Sequence, residues 1–318
     1  MALGTSLERS LSVTDETPVI ELANHVKMPL VGYGTFRVKG DEAKTGVKTA
    51  LRCGYRHIDT ATCYMNEKEI GESIKEWREE QSSNESVAVF LTSKLQPRDM
   101  HHPEDLRKAF LLSCEKLRVT TLDLYLIHWP GISKRPPSSH CHREARHRAW
   151  TVLEDFYLKG CVRAIGVSNF TRAHLEDLLF EDVCGRRALR VRVIPHVNQV
   201  EFHPQYQQRD LRAFCQEHGI QVVAYSSFGV GDLLEHQVVQ HIVASHPTYP
   251  ISPAAVLLRW TLQQGIPVLP KSVRPNRIEE NIRFSLDPSW ELSPTDIVSL
   301  DSLDQADGKK TWNPNDIR

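Results

Sequence analysis

The chain of 318 residues carries 39 Lys+Arg against 40 Asp+Glu, a formal charge of -1, so neither nucleic acid nor an anionic membrane is favoured as a partner. Hydrophobic residues make up 40%, enough for a sizeable core, and the length suits one large α/β domain or two small ones. No apolar run approaches the roughly 18 residues of a membrane span, and the seven cysteines are scattered without a C-x-x-C pair, which predicts a reducing, cytoplasmic setting.

Residues 1–17, "MALGTSLERSLSVTDET", hold acids and hydroxyls but no apolar h-region, and read as a ragged leader before one domain over 18–318. "VIELANHVKMP" (19–29) predicts two short strands around an Asn-His turn, a plug for one end of whatever follows. Strand-then-helix units come next. "VGYGTF" (31–36) precedes a helical 41–53, "RHIDT" (56–60) precedes 67–80, and "VAVFLTSK" (87–94) precedes "PEDLRKAFLLSCEKL" (103–117), whose proline suits a first helical turn. "LDLYLIHW" (122–129) precedes a helical 146–159, and "AIGVSNF" (164–170) precedes "RAHLEDLLF" (172–180). "HVNQVEF" (196–202) precedes 207–218, "QVVAYSSFG" (221–229) precedes a variable stretch, and "PVLPKS" (267–272) precedes a helical 276–283. The basic, proline-rich "GISKRPPSSHCHREARHR" (131–148) is expected to be a loop. Its "HCHREARH" (140–147) lacks the second paired half of a zinc site, so no metal is expected.

About eight such units, with strands apolar almost throughout and no break in composition, favour an α/β (β/α)₈ TIM barrel; on pattern alone a doubly wound sheet stays open. In a barrel the C-terminal strand ends open into one mouth, where the βα-loops build the active site. Asp59, Tyr64, Lys94 and His128 fall at those ends on three consecutive strands. A free phenol titrates near pH ~10 and gives up its proton poorly at neutrality. A neighbouring Lys94 ammonium, held by Asp59, is expected to bring Tyr64 down, while His128 orients a substrate oxygen. That set suits proton donation to a carbonyl oxygen as its carbon takes up a hydride. Nothing in the pattern pairs a nucleophile with an adjacent base. Cys63, next to Tyr64, is expected to be inert packing.

Hydride chemistry needs a carrier, and no G-x-G-x-x-G follows any strand; "GVGDLL" (229–234) lacks the third glycine. Barrels instead hold phosphates near the last two strands, at a helix N-terminus. "LPKSVRPNRIEEN" (269–281) lies there, with Lys271, Ser272 and Arg277 suited to a dianionic phosphate.

"GYRHIDTATCYMNEKEIG", "LTSK", "LDLYLIHWP", "GVSNF", "NQVEFHP" and "LPKSVRPNRIEEN" stand in the order and nearly the spacing of the aldo-keto reductases, and the resemblance covers roughly residues 18–318. It implies a TIM barrel, NADPH/NADP+ as cofactor, and reduction of small-molecule aldehydes and ketones by a protein that is frequently monomeric. The catalytic tetrad it implies is Asp59, Tyr64, Lys94 and His128, with Tyr64 as the acid. For the cofactor it implies Thr35, Phe36 and Asp59 at the first strand ends, and Ser168, Asn169 and Gln199 on the carboxamide. Tyr225 is implied under the nicotinamide ring, with Ser226, Ser227, Phe228 and Gly229 over the pyrophosphate. Lys271, Ser272, Val273 and Arg277 are implied at the 2′-phosphate, and Glu280 and Asn281 at the adenine. Phe36, Tyr64, His128 and Trp129 are implied to line the substrate pocket.

Many relatives have Ser-Pro-Leu-Gly where this chain has Ser226, Ser227, Phe228 and Gly229, so a changed loop and altered cofactor release are expected. The tail after Asn281 is fairly short, as in the glyoxal, diketogluconate and prostaglandin F reductase-like members, which implies an open pocket. Trp312 either lies against the mouth or merely stabilises the tail. A second reading keeps the barrel and cofactor for a weakly catalytic, redox-sensing or structural role.

Overall fold

A computed structural model describes residues 17–81, 87–246 and 251–318; the proposed leader lies outside them except for Thr17. The strands are β1 (Val19–Glu21), β2 (Lys27–Pro29), β3 (Tyr33–Gly34), β4 (His57–Asp59), β5 (Phe90–Leu95), β6 (Leu122–Ile127), β7 (Val162–Ser168), β8 (Phe180–Val183), β9 (Arg186–Leu189), β10 (Val197–Glu201) and β11 (Gln221–Tyr225). The helices are α1 (Gly40–Arg52), α2 (Glu67–Glu80), α3 (Pro103–Leu117), α4 (Cys141–Leu158), α5 (Arg172–Leu179), α6 (Arg209–Glu217), α7 (Gln237–Ser245), α8 (Pro253–Gln263), α9 (Pro275–Leu286) and α10 (Pro294–Asp301). None of the described helices is long and apolar enough to cross a membrane.

Seven strands form one sheet in the order β11-β10-β7-β6-β5-β4-β3, and every pairing is parallel. The ring closes at Val268, which bridges Val31 on one side and Ala224 on the other. The Gly32 amide donates to the Val268 carbonyl (2.9 Å), and the Leu269 amide donates to Ala224 (3.0 Å). The eighth strand expected over 267–272 is therefore only a pair of bridges. Pro267 and Pro270 have no N–H to give to a ladder, which limits how far it can run. The fold is a (β/α)₈ barrel.

β1 and β2 pair antiparallel with Ile20 opposite Met28, and His25 makes the turn at φ 64°. Leu22 and Met28 are buried in the barrel's inner cluster with Leu124, Ala164, Val197 and Val223. Val197 is the first residue of its strand, so the hairpin stops the N-terminal end as expected. The larger core lies between strands and helices and includes Trp77, Trp150 and Trp260. On α2 the spacing Ile70, Ile74, Trp77 turns one apolar stripe toward it.

Two expectations need correction. The 131–148 segment is not all loop, because α4 begins at Cys141. Two of its basic residues face inward: buried Arg146 donates to the Pro130 carbonyl (3.0 Å) and pairs with Asp177 (3.0 Å). Buried His142 accepts from the Ile132 amide (3.0 Å) and ties down the preceding loop. These polar groups find partners inside the fold, so a polar sequence here does not mean a solvated one. The antiparallel hairpin β8–β9, inserted between α5 and β10, was not anticipated.

Candidate active site

The parallel registers carry the polar residues to one end. Asp59 ends β4 opposite Thr92 of β5, Lys94 lies opposite Leu126 of β6, and His128 follows Ile127, the last residue of β6. Ser168, which ends β7, stands opposite Gln199 of β10, and Glu201 stands opposite Tyr225, the last residue of β11. Tyr64 arrives on a 3₁₀ turn, Thr62–Tyr64, just after β4.

Lys94 is fully buried, and its Nζ donates to Asp59 Oδ1 (2.6 Å) and to the Thr60 carbonyl (2.8 Å). Asp59 Oδ2 accepts from Gln199 Nε2 (2.8 Å). The amine of Lys94 lies 5.1 Å from the centroid of the Tyr64 ring. That ring meets His128 edge-on at 5.5 Å and Phe36 at 5.1 Å. The four tetrad residues thus come together.

One expectation about them fails. The Tyr64 phenol is not pulled down: burial pushes it well above its ordinary value, and the charges of Asp59, Cys63 and Tyr225 push the same way. Loss of water outweighs the ammonium, whose field the Asp59 carboxylate offsets at 2.6 Å. Burial drives His128 the other way, down to about 3, and Lys94 adds to the effect, so the imidazole is neutral at neutral pH.

Asn169 ties the next strand ends to this group. Its Nδ2 donates to the His128 carbonyl (3.0 Å) and to Ser168 Oγ (3.2 Å), while its Oδ1 accepts from the Tyr225 hydroxyl (2.6 Å). Ser168 Oγ donates to the Gln199 carbonyl (2.8 Å). Thr35 Oγ1 donates to the Asp59 carbonyl (2.8 Å), placing Thr35 beside the tetrad.

The residues assigned to a phosphorylated dinucleotide suit one. Lys271, Arg274 and Arg277 are exposed around the start of α9, and among the described residues none has a carboxylate within 4.0 Å. Three unpaired cations at a helix N-terminus make a strong anion site. Ser272 is half-buried and its Oγ accepts from the Arg274 amide (3.1 Å), while Val273 is exposed. Arg277, Glu280 and Asn281 follow at i, i+3 and i+4 and so share a face of α9. In the loop after β11, Ser227 is buried and its Oγ has no partner among the described residues, an orphan that a ligand oxygen would satisfy. Ser226 and Gly229 there adopt left-handed φ of 53° and 56°, while Phe228 packs on the core. A proline at 227 would disfavour the conformation Ser226 holds.

At the pocket wall Phe36 is 42% exposed. Cys63, expected to be inert packing, is exposed as well. Cys63 Sγ lies 3.4 Å from His128 Nδ1, a pairing of thiol and potential base that the sequence did not suggest. Trp312, 73% exposed, meets Trp129 edge-on at 6.5 Å and therefore lies at the mouth.

Two buried groups that hold the site were missed. Asn66 precedes α2 at its N-cap position but turns its side chain away from the helix; its Nδ2 donates to the carbonyls of Thr35 (2.9 Å) and Val38 (2.8 Å), and its Oδ1 accepts from Thr60 (2.6 Å). An Asn directly before an acid-rich helix was the available signal. Glu201 accepts from Lys309 Nζ (2.8 Å), the Lys310 amide (2.6 Å) and the Thr311 amide (3.1 Å). It thereby pins the tail, leaving Thr311 Oγ1 3.2 Å from the Tyr225 hydroxyl.

Residues 30–305 match the model of the Aldo/keto reductase family. Glyoxal reductase of Bacillus subtilis (strain 168) is 40% identical over 299 residues, which cover 94% of this chain and 96% of that protein. The 9,11-endoperoxide prostaglandin H2 reductase of Trypanosoma cruzi (strain CL Brener) is 37% identical over 290 residues, covering 90% and 91%. A crystal structure of a Gox0644 mutant in complex with NADPH aligns with a TM-score of 0.79 at 33% identity, covering 94% of this chain and 98% of that one.

Proposed function

The chain belongs to the aldo/keto reductase family, and on that premise we propose that it reduces aldehydes and ketones with NADPH, using Tyr64 as the general acid. The observation that carries this reading is the fully buried Lys94, held by Asp59 at 2.6 Å and lying 5.1 Å from the Tyr64 ring. A buried ammonium beside a phenol and an imidazole is costly unless it serves the chemistry of the mouth it faces.

Each residue has a physical task. NADPH, when bound, supplies the hydride. Ser168, Asn169 and Gln199 offer amide and hydroxyl groups to its carboxamide, and Lys271, Arg274 and Arg277 offer cations to its phosphate. Neutral His128 donates to the substrate's carbonyl oxygen and orients it. Tyr64, kept protonated by its raised pKa, gives its proton to that oxygen as negative charge develops there. The alkoxide is a far stronger base than a phenolate, so the transfer runs downhill without a phenol that is acidic at rest. Lys94 then steadies the phenolate left behind, and Asp59 holds Lys94 in place. We assign this activity to one domain, residues 18–318, working as a monomer in the cytoplasm, where its seven free cysteines stay reduced.

The test follows NADPH absorbance with 4-nitrobenzaldehyde and with an α-dicarbonyl. Tyr64→Phe should lower kcat by about 10²–10⁴-fold while fluorescence titration shows NADPH binding unchanged. Wild-type binding without turnover on any carbonyl would instead favour a redox-sensing or structural role.

A further inference from the structure

Cys63 is an exposed cysteine whose Sγ lies 3.4 Å from Nδ1 of His128. No other group hydrogen-bonds that ring among the described residues; Asn169 and Leu95 bond only its backbone. Three arrangements fit the contact: a thiolate beside an imidazolium, a neutral thiol donating to a neutral ring, or a neutral ring donating Nδ1–H to the thiol sulfur. Burial has pushed the imidazole down to about 3 and the thiol up from its ordinary value, and the Lys94 charge further opposes a proton on the ring. A base that weak does not take a proton from an acid that weak. The pair is therefore neutral, and Cys63 is no nucleophile activated by a base.

Of the two neutral arrangements, the one that uses the imidazole nitrogen as acceptor is the stronger, because a thiol sulfur accepts only weakly, and Nδ1 accepts only if the ring proton sits on Nε2. We propose that Cys63 is a positioning residue whose thiol donates to Nδ1 of His128, holding the imidazole in the tautomer that presents Nε2–H to the substrate's carbonyl oxygen. The assignment rests on His128 as the group that orients substrate. It gives a task to the cysteine directly before Tyr64, a residue that is exposed at the mouth while its thiol is turned to the imidazole.

The test compares Cys63→Ala with Cys63→Ser, which keeps a donor, in the NADPH-bound enzyme. ¹⁵N-histidine NMR reads the tautomer of His128, assigned from a His128→Gln spectrum. Wild type and Cys63→Ser should show a single Nε2–H tautomer, and Cys63→Ala a mixture. Alongside, kcat should fall about 3- to 10-fold in Cys63→Ala with KM changed less than about twofold, and Cys63→Ser should recover most of the loss. An unchanged tautomer in Cys63→Ala, or a Cys63→Ser enzyme that behaves like Cys63→Ala, would overturn the proposal. If His128→Gln keeps full kcat/KM while the NMR pattern holds, the orienting role of His128 fails and the thiol–imidazole bond stands.

Discussion

Lys94 and Asp59 form a pair in which each residue makes the other tolerable. Both are nearly or fully inaccessible, and Asp59 has Gln199 as its other side-chain partner. Removing one charge strands the other, which typically costs about 3–5 kcal/mol, whereas replacing both with apolar groups is often close to neutral. Lys94→Met should therefore lower unfolding stability by about 3–5 kcal/mol in chemical denaturation. The double variant Asp59→Leu/Lys94→Met should regain much of that loss yet remain inactive. A stable single variant would mean that the carboxylate is not left uncompensated. At this scale the sequence marked the four residues that the fold brings together, Asp59, Tyr64, Lys94 and His128, since polar side chains at the ends of apolar strands stand out. It misjudged the direction of the Tyr64 shift, because desolvation depends on neighbours far away in the chain.

Elements meet closely where side chains are small. Gly71, in the middle of α2, lies against the end of α3, and a Cβ there would fall 2.4 Å from the Lys116 carbonyl oxygen and 2.8 Å from the Leu117 backbone. Backbone atoms cannot swing aside as a flexible side chain does, so the helices must separate. Gly71→Ala, which raises helix propensity in isolation, should nonetheless destabilise the protein by about 2–3 kcal/mol; an unchanged Tm would show that α2 slides freely on α3. The extents of α2 and α3 were legible from periodicity, with Pro103 marking the start of α3. The start of α4 was not, because Arg146 and His142 look like solvated residues until their partners Asp177, Pro130 and Ile132 are seen. The eighth strand was over-read for the opposite reason: "PVLP" is apolar enough for a strand, but two of its four residues cannot donate.

The whole molecule carries a pH dependence of its own. Burial lowers His57 and His174 each to about 4, while an unfolded histidine titrates near ~6.5. Between those values the unfolded chain binds more protons than the folded one, so stability rises with pH and is lost as the pH falls. With His128, lowered to about 3, three such groups give a slope of up to about 4 kcal/mol per pH unit in that window. Asp177 and Glu201 are held well below the usual carboxylate range by their hydrogen-bonded partners, against the opposing effect of burial, and give stability that is lost only as the pH falls below about 4. Calorimetry should show Tm falling steeply from pH 6.5 towards 4, and a flat curve there would contradict neutral burial of these rings.

The order and spacing of the motifs by themselves determined the barrel, its N-terminal hairpin and the strand ends that carry Asp59, Lys94 and His128. Alternation of apolar strands and amphipathic helices is a local property, and a parallel barrel brings all its C-terminal strand ends to one rim. Tertiary structure alone decided that Val268 closes the ring, that Glu201 holds the tail against Tyr225, and that Cys63 touches His128. Those contacts join residues far apart in sequence, and their energies depend on distance and burial, which no stretch of chain contains before it folds.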